Sequence, residues 1–597
     1  MPDGPPAFTP TRTTSVWLAT GVILLATWAA YANSFWVPFV FDDLRAVTLN
    51  PTIHHLWPLG PVLSPPPEGG LSGRPLANLS LALNYAFGGE AVVGYHAVNL
   101  EIHVLAALVL LGVVRRTLLR PRLRDRFGDV ALPLAGAVAL LWALHPLQTE
   151  AVTYISQRTE SLMGLWYLLT LYGFIRAVES PAPGRWLGLS VGACLLGALT
   201  KEVIVTAPLL VLLYDRTFVA GTFREAWRKR RWYYVGLAGS WILLAWLMRG
   251  LATRHVGYGL GVTWWTCALT ESQAVMRYLR LAIWPHPLVF DYGMGMAAVS
   301  AVTLSCMLLI GLLVAGAGLA LWKRPALGFV GAAIFILLAP ASSVVPVVMQ
   351  PVAEHRMYLP LAGVIVLAVM GLHAALGRWT IGAVLVVAAV LGFLTAQRNA
   401  TYFNEVTLWS DTVSWRPENA RAQNNLGSAL VHAGRLIEAR EHFAAMVRLH
   451  PDDALAHYNL GNVLRDLGRY EEAMEQCTIA LRLKPDFAEA HCIMGSALAQ
   501  SGRMNEAVTH FQAAVSIDPA SVEAHFDLGQ AFFELERYPA AAEQFATAVR
   551  LQPDFAEAHQ KLGDVLSRLN RLDEARAQYA EARRLSSDPA PAVQPGH

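Results

Sequence analysis

The chain has 597 residues, of which 54% are hydrophobic and only 15% are charged, and its mean hydropathy is +0.39. This length is enough for at least two domains, and this apolarity excludes an ordinary soluble protein. The basic residues lie in short loops rather than along one face, which argues against nucleic-acid binding.

The charge is divided unevenly along the chain. From Arg398 to the end there are 19 Lys and Arg against 27 Asp and Glu, a net charge of −8, whereas the preceding residues carry +10. An apolar, basic part joined to an acidic part indicates a membrane domain with a water-exposed appendage. We expect the membrane domain to occupy residues 1–397.

Apolar segments recur through these 397 residues. A membrane-spanning helix needs about 20 mostly apolar residues, and somewhat fewer in a crowded bundle. The sequence predicts eleven spans, at residues 15–33, 96–118, 130–146, 160–178, 185–200, 202–217, 232–250, 298–322, 326–342, 358–377 and 380–397. Residues 263–284 contain Glu271, Arg277 and Arg280, so we expect an interfacial or re-entrant helix there.

Arginine and lysine in short loops give the predicted orientation. The loops after the second and sixth spans are rich in arginine, and Lys323, Arg324 and Arg378 fall on the same side. That side is predicted to be cytoplasmic, together with the N-terminus. Eleven spans then place the rest of the chain on the opposite face, in the bacterial periplasm or the lumen of the endoplasmic reticulum.

The first loop on the extracytoplasmic side contains two adjacent carboxylates, Asp42 and Asp43, after the apolar run 36–40. Carboxylates beside apolar residues cost free energy unless a partner or solvent compensates them. One interpretation is a helix N-cap or an interfacial turn. The other is a general base held at the membrane surface, with the second carboxylate orienting a residue or ligand.

Further polar residues recur in the loops on the same predicted side. A charge at the bilayer centre costs about 2.5–3.5 kcal/mol on insertion scales and less at the interface, so any one of them can be a simple anchor. Together they suit an anionic, lipid-linked substrate, because arginine matches phosphate oxygens. The candidate substrate-binding residues are Arg74, His96, His145, Glu150, Arg158, Lys201, Glu202, Glu354, Arg356 and Tyr358.

Residues 420–589 contain five repeats of 34 residues. Proline, glycine and alanine recur in phase, at Pro417, Pro451, Pro485, Pro519 and Pro553, at Gly427, Gly461, Gly495, Gly529 and Gly563, and at Ala439, Ala473, Ala507, Ala541 and Ala575. This period is typical of tetratricopeptide (TPR) repeats, which stack as a solenoid whose concave face binds extended segments. Histidines also recur in phase, at His457, His491, His525 and His559, and packing is a commoner role than ligand binding at such a position.

The predicted fold is therefore all-α, with a polytopic helical membrane domain followed by a TPR α-solenoid. Residues 398–419 are predicted to be a linker helix or half-repeat. The end of the chain, residues 590–597, is rich in proline and is predicted to be a disordered tail.

The order of these motifs resembles the transmembrane and TPR repeat-containing O-mannosyltransferases, the TMTC family, in a bacterial form. It is more distantly similar to protein O-mannosyltransferases of the GT-C class. The matching residues are Phe41-Asp42-Asp43, Arg74-Pro75-Leu76, His96, Asn99, His103, His145-Pro146, Glu150, Arg158, Lys201-Glu202, Tyr214-Asp215, Arg277-Tyr278-Leu279, Asp291-Tyr292 and Arg356-Met357-Tyr358-Leu359-Pro360, followed by the repeats. Each motif is short, but their order and spacing together are specific.

The resemblance implies a GT-C-like glycosyltransferase that moves a sugar from a polyprenyl phosphate to Ser or Thr of a protein held by the repeats. An acidic residue of the first extracytoplasmic loop deprotonates the acceptor in such enzymes, and this maps onto Asp42, with Asp43 close behind. The resemblance also implies that Arg158, Lys201 and Arg356 bind the lipid phosphate, and that Glu150 and Glu202 position them. No cofactor or metal site is expected, since arginines can neutralise the leaving phosphate.

Two other functions stay open at this level. The chain could be a non-catalytic, membrane-anchored TPR scaffold, or a ligase or polymerase of lipid-linked glycans. Eleven spans are more than an anchor needs, and TPR repeats favour a protein acceptor over a glycan. The expected partners are therefore the lipid bilayer, a polyprenyl-phosphate sugar and an acceptor polypeptide, with no nucleic acid.

Overall fold

The computed structural model describes residues 12–66, 70–247, 263–340 and 351–587, so the predicted tail at 590–597 lies outside the described residues. Every regular element in these ranges is a helix, as the sequence predicts. The chain divides into two compact units, Met1–Trp415 and Arg416–His597.

The first unit is a bundle of mostly apolar helices. Its helices are α1 (Arg12–Tyr31), α2 (Leu59–Val62), α3 (Pro75–Gly88), α4 (Val92–Leu118), α5 (Pro121–Phe127), α6 (Ala131–Ala143), α7 (Thr149–Thr153), α8 (Arg158–Glu179), α9 (Pro183–Ala198), α10 (Ala207–Asp215), α11 (Phe223–Leu247), α12 (Trp264–Ile283), α13 (Ala301–Lys323), α14 (Pro325–Ala339), α15 (Pro360–Leu376), α16 (Thr380–Ala400) and α17 (Glu405–Trp415). The predicted linker helix is α17, and it belongs to this unit.

Each predicted span overlaps one of these helices, and residues 248–250 and 341–342 of two spans lie outside the described residues. In the described part of the chain, six helical segments are long and apolar enough to cross a membrane, or seven if the bent pair α5 and α6 is one span. Others are short: α9 has 16 residues and α14 has 15. The number of membrane crossings therefore stays a prediction.

One of the six segments, Pro360–Ala400, folds back on itself. A straight helix of its 41 residues would be about 60 Å long. Glu354, just before its start, nevertheless lies 3.8 Å from Arg398 near its end. The reversal occurs at Gly377, whose φ of +53° is in the left-handed region that favours glycine. Helices α15 and α16 are therefore two separate helices that run in opposite directions.

Arginines bind the C-termini of helices at one end of the bundle. This arginine-rich end is predicted to be cytoplasmic. A cation there compensates the negative end of the helix dipole and the unpaired carbonyl groups. Arg120 donates to the carbonyl oxygen of Ile175 near the end of α8 at 3.1 Å. Arg216 donates to the carbonyl oxygen of Leu321 near the end of α13 at 2.9 Å. These arginines thus stabilise helix ends as well as marking the predicted orientation.

The second unit consists of antiparallel helix pairs, as the 34-residue period predicts. Its helices are α18 (Ala420–His432), α19 (Leu436–Leu449), α20 (Ala454–Asp466), α21 (Tyr470–Leu483), α22 (Ala488–Gln500), α23 (Met504–Ile517), α24 (Val522–Glu534), α25 (Tyr538–Leu551), α26 (Ala556–Arg568) and α27 (Leu572–Ser587). Each pair buries the repeated glycine of its first helix against the second helix.

The repeated glycines allow this close approach. A Cβ added to Gly529 would lie 2.9 Å from two ring atoms of Phe545, which is fully buried. In the second repeat the aromatic residue is replaced, and a Cβ on Gly461 would lie 3.0 Å from the sulfur of Cys477. In each repeat, the glycine of the first helix and the side chain that it faces on the second helix thus form one contact.

The in-phase histidines connect the helices of a repeat. His457 contacts the side-chain oxygen of Gln476 through Nδ1 at 2.8 Å and the carbonyl oxygen of Pro451 through Nε2 at 3.0 Å. His525 and His559 make the same pair of contacts in their repeats. These contacts support the packing interpretation.

The two glycine positions give a matched test of this packing. Gly529→Ala is expected to destabilise the second unit by about 1–3 kcal/mol more than Gly461→Ala, because a buried Phe545 ring gives way less easily than a cysteine side chain. Both variants gain the same helix propensity, so their difference isolates the contact. Urea unfolding of the full chain, followed by the loss of helical circular dichroism, measures both. Equal losses would contradict the packing argument.

Candidate functional site

The loop after α1 that carries Asp42 and Asp43 is held in place by hydrogen bonds. His96 of α4 donates from Nε2 to the carbonyl oxygen of Val37 at 2.8 Å. The backbone N–H of Asp43 donates to the carbonyl oxygen of Val40 at 3.0 Å, which closes a turn. Phe41, which follows Val40 in this turn, has φ +50°. This conformation costs a non-glycine residue about 1–3 kcal/mol. His96 therefore acts on the loop, and its role is positional.

Asp43 points into the protein, whereas Asp42 is half-buried at the surface of the loop. The carboxylate of Asp43 accepts from the backbone N–H of Ser156 at 2.7 Å and of Val40 at 3.4 Å. Burial raises the pKa of Asp43 to about 7, against the opposing effect of these hydrogen bonds. The backbone N–H of Asp42 donates to the hydroxyl oxygen of Tyr154 at 3.0 Å. Both predicted acids are thus fixed, in different environments.

Aromatic rings surround this loop. The ring of Phe290 makes edge-to-face contacts with Phe41, Tyr154, Tyr402 and Trp409, with centroid distances of 5.3–6.0 Å. Phe41 also contacts Trp409 of α17 directly, at 5.3 Å. We call these five residues the aromatic cluster. It excludes water from one side of the loop, which strengthens the electrostatic interactions there.

Glu150 holds the turn that precedes α15. Its carboxylate accepts from the backbone N–H of His355 at 2.9 Å and contacts Nδ1 of the same residue at 2.8 Å. Burial alone would raise the pKa of Glu150, but the charge and hydrogen bonds of His355 outweigh it and hold that pKa below its ordinary value. Glu150 thus positions the residue next to Arg356.

Glu354 of the same turn joins three parts of the chain. Its Oε1 accepts from the backbone N–H of Val289 at 2.6 Å and from the hydroxyl of Tyr292 at 2.8 Å. Its Oε2 lies 3.8 Å from Arg398, which also pairs with Asp411 of α17 at 2.8 Å. Burial raises the pKa of Glu354 to about 7 although Arg398 lowers it. Glu354 is therefore a structural junction rather than an accessible ligand.

Charged residues gather at the start of α3 and before α10. Arg74 lies 3.6 Å from Glu202, and both side chains are partly exposed. Lys201 forms a buried ion pair with Glu160. The charges of Arg74, Lys201 and Arg356 all act on Glu202. Arg74 and Glu202 are in contact, Lys201 adjoins Glu202 in the chain, and the charge of Arg356 acts on Glu202, so we call these four predicted residues the basic cluster.

Arg356 is the member of the basic cluster that lies on the turn before α15. Its guanidinium lies 3.8 Å from Glu271 of α12 and donates to the carbonyl oxygen of Pro351 at 2.5 Å. Glu271 was expected to mark α12 as interfacial, and in the structure it faces the bundle. These contacts fix the Arg356 guanidinium between α12 and the turn before α15.

Arg158, a predicted phosphate ligand, is buried and bound by groups of the bundle. It is 1% exposed, and its N–H groups are directed at uncharged acceptors. Those acceptors are Asn99 Oδ1 at 2.5 Å, Asn84 Oδ1 at 2.6 Å, the carbonyl oxygen of Tyr95 at 3.0 Å and that of Ser80 at 3.1 Å. Arg158 therefore joins α3, α4 and α8, and we do not retain it as a phosphate ligand.

His145 and Tyr358 also pack inside the bundle. Nδ1 of His145 accepts from the backbone N–H of Leu147 at 3.2 Å, and the side chain is buried. The hydroxyl of Tyr358 contacts His103 at 3.0 Å, and its carbonyl oxygen accepts from Trp142 at 2.8 Å. Both residues shape the end of the bundle without facing the basic cluster.

The site also contains three residues that the sequence does not predict, Arg398, Asp411 and Tyr154. Arg398 had a signal, because a lone arginine ends the apolar run of α16. Asp411 and Tyr154 had none, since their partners lie far away in sequence. His355 lies between two predicted residues, Glu354 and Arg356, but nothing in the local sequence indicates its pairing with Glu150.

The buried Asp43 makes stability depend on pH. Its pKa rises from about 3.8 to about 7 on folding, so its stabilising contribution is complete below about pH 4 and is lost as the pH rises through 7. Thermal unfolding between pH 5 and 8 is expected to show a smaller loss of stability in Asp43→Asn than in the wild type. Asp125→Asn, which changes an exposed carboxylate of α5, is the control and should follow the wild type. Parallel curves for all three proteins would contradict the assignment.

Comparison with known proteins supports both the predicted repeats and the predicted family resemblance. Residues 495–536 match the family described as TPR repeat, and residues 408–454, 454–487 and 526–589 match families described as Tetratricopeptide repeat. The chain is similar to the Drosophila melanogaster protein O-mannosyl-transferase Tmtc2, with 32% identity over 44% of this chain and 29% of that protein. It is also similar to Tmtc3 of the same organism, with 28% identity over 72% of this chain and 54% of that protein.

The solved structure of MamA from Desulfovibrio magneticus RS-1 is similar at 25% identity and a TM-score of 0.27, over 29% of this chain and 97% of that chain. The chain spans between about a third and just over half of the length of the two curated relatives. The predicted resemblance is confirmed: the chain is a membrane protein related to the proteins named protein O-mannosyl-transferase, and its second unit is a tetratricopeptide repeat array.

Proposed function

We propose that the chain is a membrane glycosyltransferase that moves a sugar, mannose or a related one, from a polyprenyl phosphate to a Ser or Thr hydroxyl of a protein. The names of its relatives support a protein acceptor and mannose. The observation that carries the proposal is the fixed loop with Asp42 and Asp43 at the end of an apolar bundle that also carries the basic cluster. A mere anchor would gain nothing from these costly buried charges.

In the proposed reaction the acceptor hydroxyl attacks the anomeric carbon of the sugar. Asp42 takes the hydroxyl proton, the new bond forms between oxygen and the anomeric carbon, and the bond to the phosphate oxygen breaks. Asp43, beside it and buried, keeps the loop in place through Ser156 and Val40. The lipid phosphate leaves as an anion, so the reaction requires positive charge at that point.

The basic cluster supplies that charge in our proposal. Arg356, Lys201 and Arg74 bind the lipid phosphate, and Glu202 holds them together. Arg74 takes the place predicted for Arg158, whose donors are occupied. Guanidinium groups can neutralise a monophosphate without a metal or another cofactor, so none is required.

The repeats hold the acceptor polypeptide in this proposal. We place them on the extracytoplasmic face, where the arginine distribution puts the end of the membrane domain. Binding the acceptor through the repeats raises its local concentration and so increases the rate of transfer without new chemistry.

The base is tested by neutralising each acid in turn. Purified full chain is given radiolabelled polyprenyl-phosphate-mannose and acceptor protein, and label on protein is counted. Loss of a general base lowers the rate by about 10²–10⁴-fold, which we expect for Asp42→Asn. Asp125→Asn, at the opposite end of the bundle, should transfer like the wild type. Full transfer in both Asp42→Asn and Asp43→Asn would exclude the proposed base, and label on glycan instead of protein would favour a glycan ligase.

A second comparison distinguishes the roles of Arg356 and Arg158. Arg356→Gln is expected to raise the KM for the lipid donor at least about tenfold while the protein stays folded, because one charge-assisted contact to phosphate is lost. Arg158→Lys is expected to lower stability by about 3 kcal/mol, because several buried acceptors lose their donors. Donor titrations and thermal unfolding of both variants measure these effects. A stable Arg158→Lys protein with a raised donor KM would return Arg158 to the phosphate site.

A further inference from the structure

Helix α17 contacts the loop after α1 that carries Asp42 and Asp43, which we call the acid loop. The contact lies just before Asp42. Glu405, at the start of α17, accepts a hydrogen bond through Oε1 from the backbone N–H of Phe41 at 3.1 Å. Phe41 is the residue with φ +50°, and only outside contacts can hold a phenylalanine in that conformation. The bond therefore acts at the point where the backbone of the loop is strained.

The side chain of Phe41 is held by the same helix. Its ring contacts Trp409, one turn further along α17, and Trp409 is 1% exposed. The next backbone N–H, that of Asp42, donates to Tyr154. Glu405 and Tyr154 thus satisfy two successive N–H groups that would otherwise lack partners in a partly buried loop.

Helix α17 is itself fixed to the bundle. Asp411 pairs with Arg398 of α16, which also faces Glu354. Leu408, Trp409 and Thr412 are buried, so one face of α17 is packed along its length. A packed helix can hold its first residue, Glu405, at a constant distance from the loop.

We propose that Glu405 is a positioning residue for Asp42: as a hydrogen-bond acceptor it holds Phe41 in its left-handed conformation and so directs the Asp42 carboxylate toward the acceptor hydroxyl. This inference rests on the proposed function in one respect, the role of Asp42 as base. Glu405 accepts a hydrogen bond and transfers no proton, so a glutamine, which keeps the side-chain oxygen, should replace it.

The first experiment measures the loop without any reaction. Hydrogen–deuterium exchange of the full chain in nanodiscs is followed by mass spectrometry on peptides covering residues 37–50. Glu405→Ala is expected to speed exchange in this peptide about fivefold to tenfold, as the loss of one hydrogen bond predicts. Glu405→Gln should exchange at nearly the wild-type rate. Ser410→Ala, which changes an exposed residue of the same helix, is the matched control and should exchange like the wild type.

The second experiment measures transfer of labelled mannose by the same proteins. Glu405→Ala is expected to lower kcat about tenfold while the KM for the lipid donor changes less than about twofold, because the loop moves and the basic cluster does not. Glu405→Gln should recover kcat to within about threefold of the wild type.

Unchanged exchange in Glu405→Ala would overturn the inference whatever the activity of the protein. Faster exchange with unchanged kcat would also overturn it, because the bond would then hold the loop without directing the base. If Glu405→Gln is as impaired as Glu405→Ala, the carboxylate charge matters and the acceptor role is wrong. A wild-type protein that transfers no sugar counts against the proposed function, whereas exchange still decides whether Glu405 holds the loop.

Discussion

Charged groups buried at one end of an apolar bundle must find partners, and this constraint fixes the site. Removing an ion from water costs several kcal/mol even after the protein relaxes, so each buried charge accepts only a narrow geometry. Glu354 meets this requirement with Val289, Tyr292 and Arg398, and Glu150 meets it with His355. These contacts tie together segments that are tens to hundreds of residues apart in sequence.

The two carboxylates of the acid loop differ because their surroundings differ. Asp43 is buried and receives backbone hydrogen bonds, so its pKa rises to about 7 and its role is to hold the loop. Asp42 is half-buried, and its backbone N–H donates to the hydroxyl oxygen of Tyr154. The same local sequence thus produces one buried acid that anchors the loop and one acid that is partly exposed.

The sequence indicates that polar residues gather at one end of the bundle. It does not show which of these residues bind a substrate. Arg158 and Arg356 look alike in the sequence, each an arginine beside an apolar span. In the structure Arg158 donates to Asn99, Asn84 and backbone carbonyl groups, whereas Arg356 lies 3.8 Å from Glu271 and its charge acts on Glu202. The difference arises from distant partners, which no local pattern contains.

Sequence by itself determined the all-α fold, the positions of the apolar helices, the 34-residue repeat and the resemblance to the TMTC proteins. It could do so because helix formation and repeat packing depend on residues that are close in sequence, such as Gly529 and Phe545 within one 34-residue repeat. Only the tertiary structure decided that Glu354 meets Arg398, that Arg158 is fully used inside the bundle and that α17 supports Phe41. Those contacts follow from how the helices pack, and packing is a property of the whole chain.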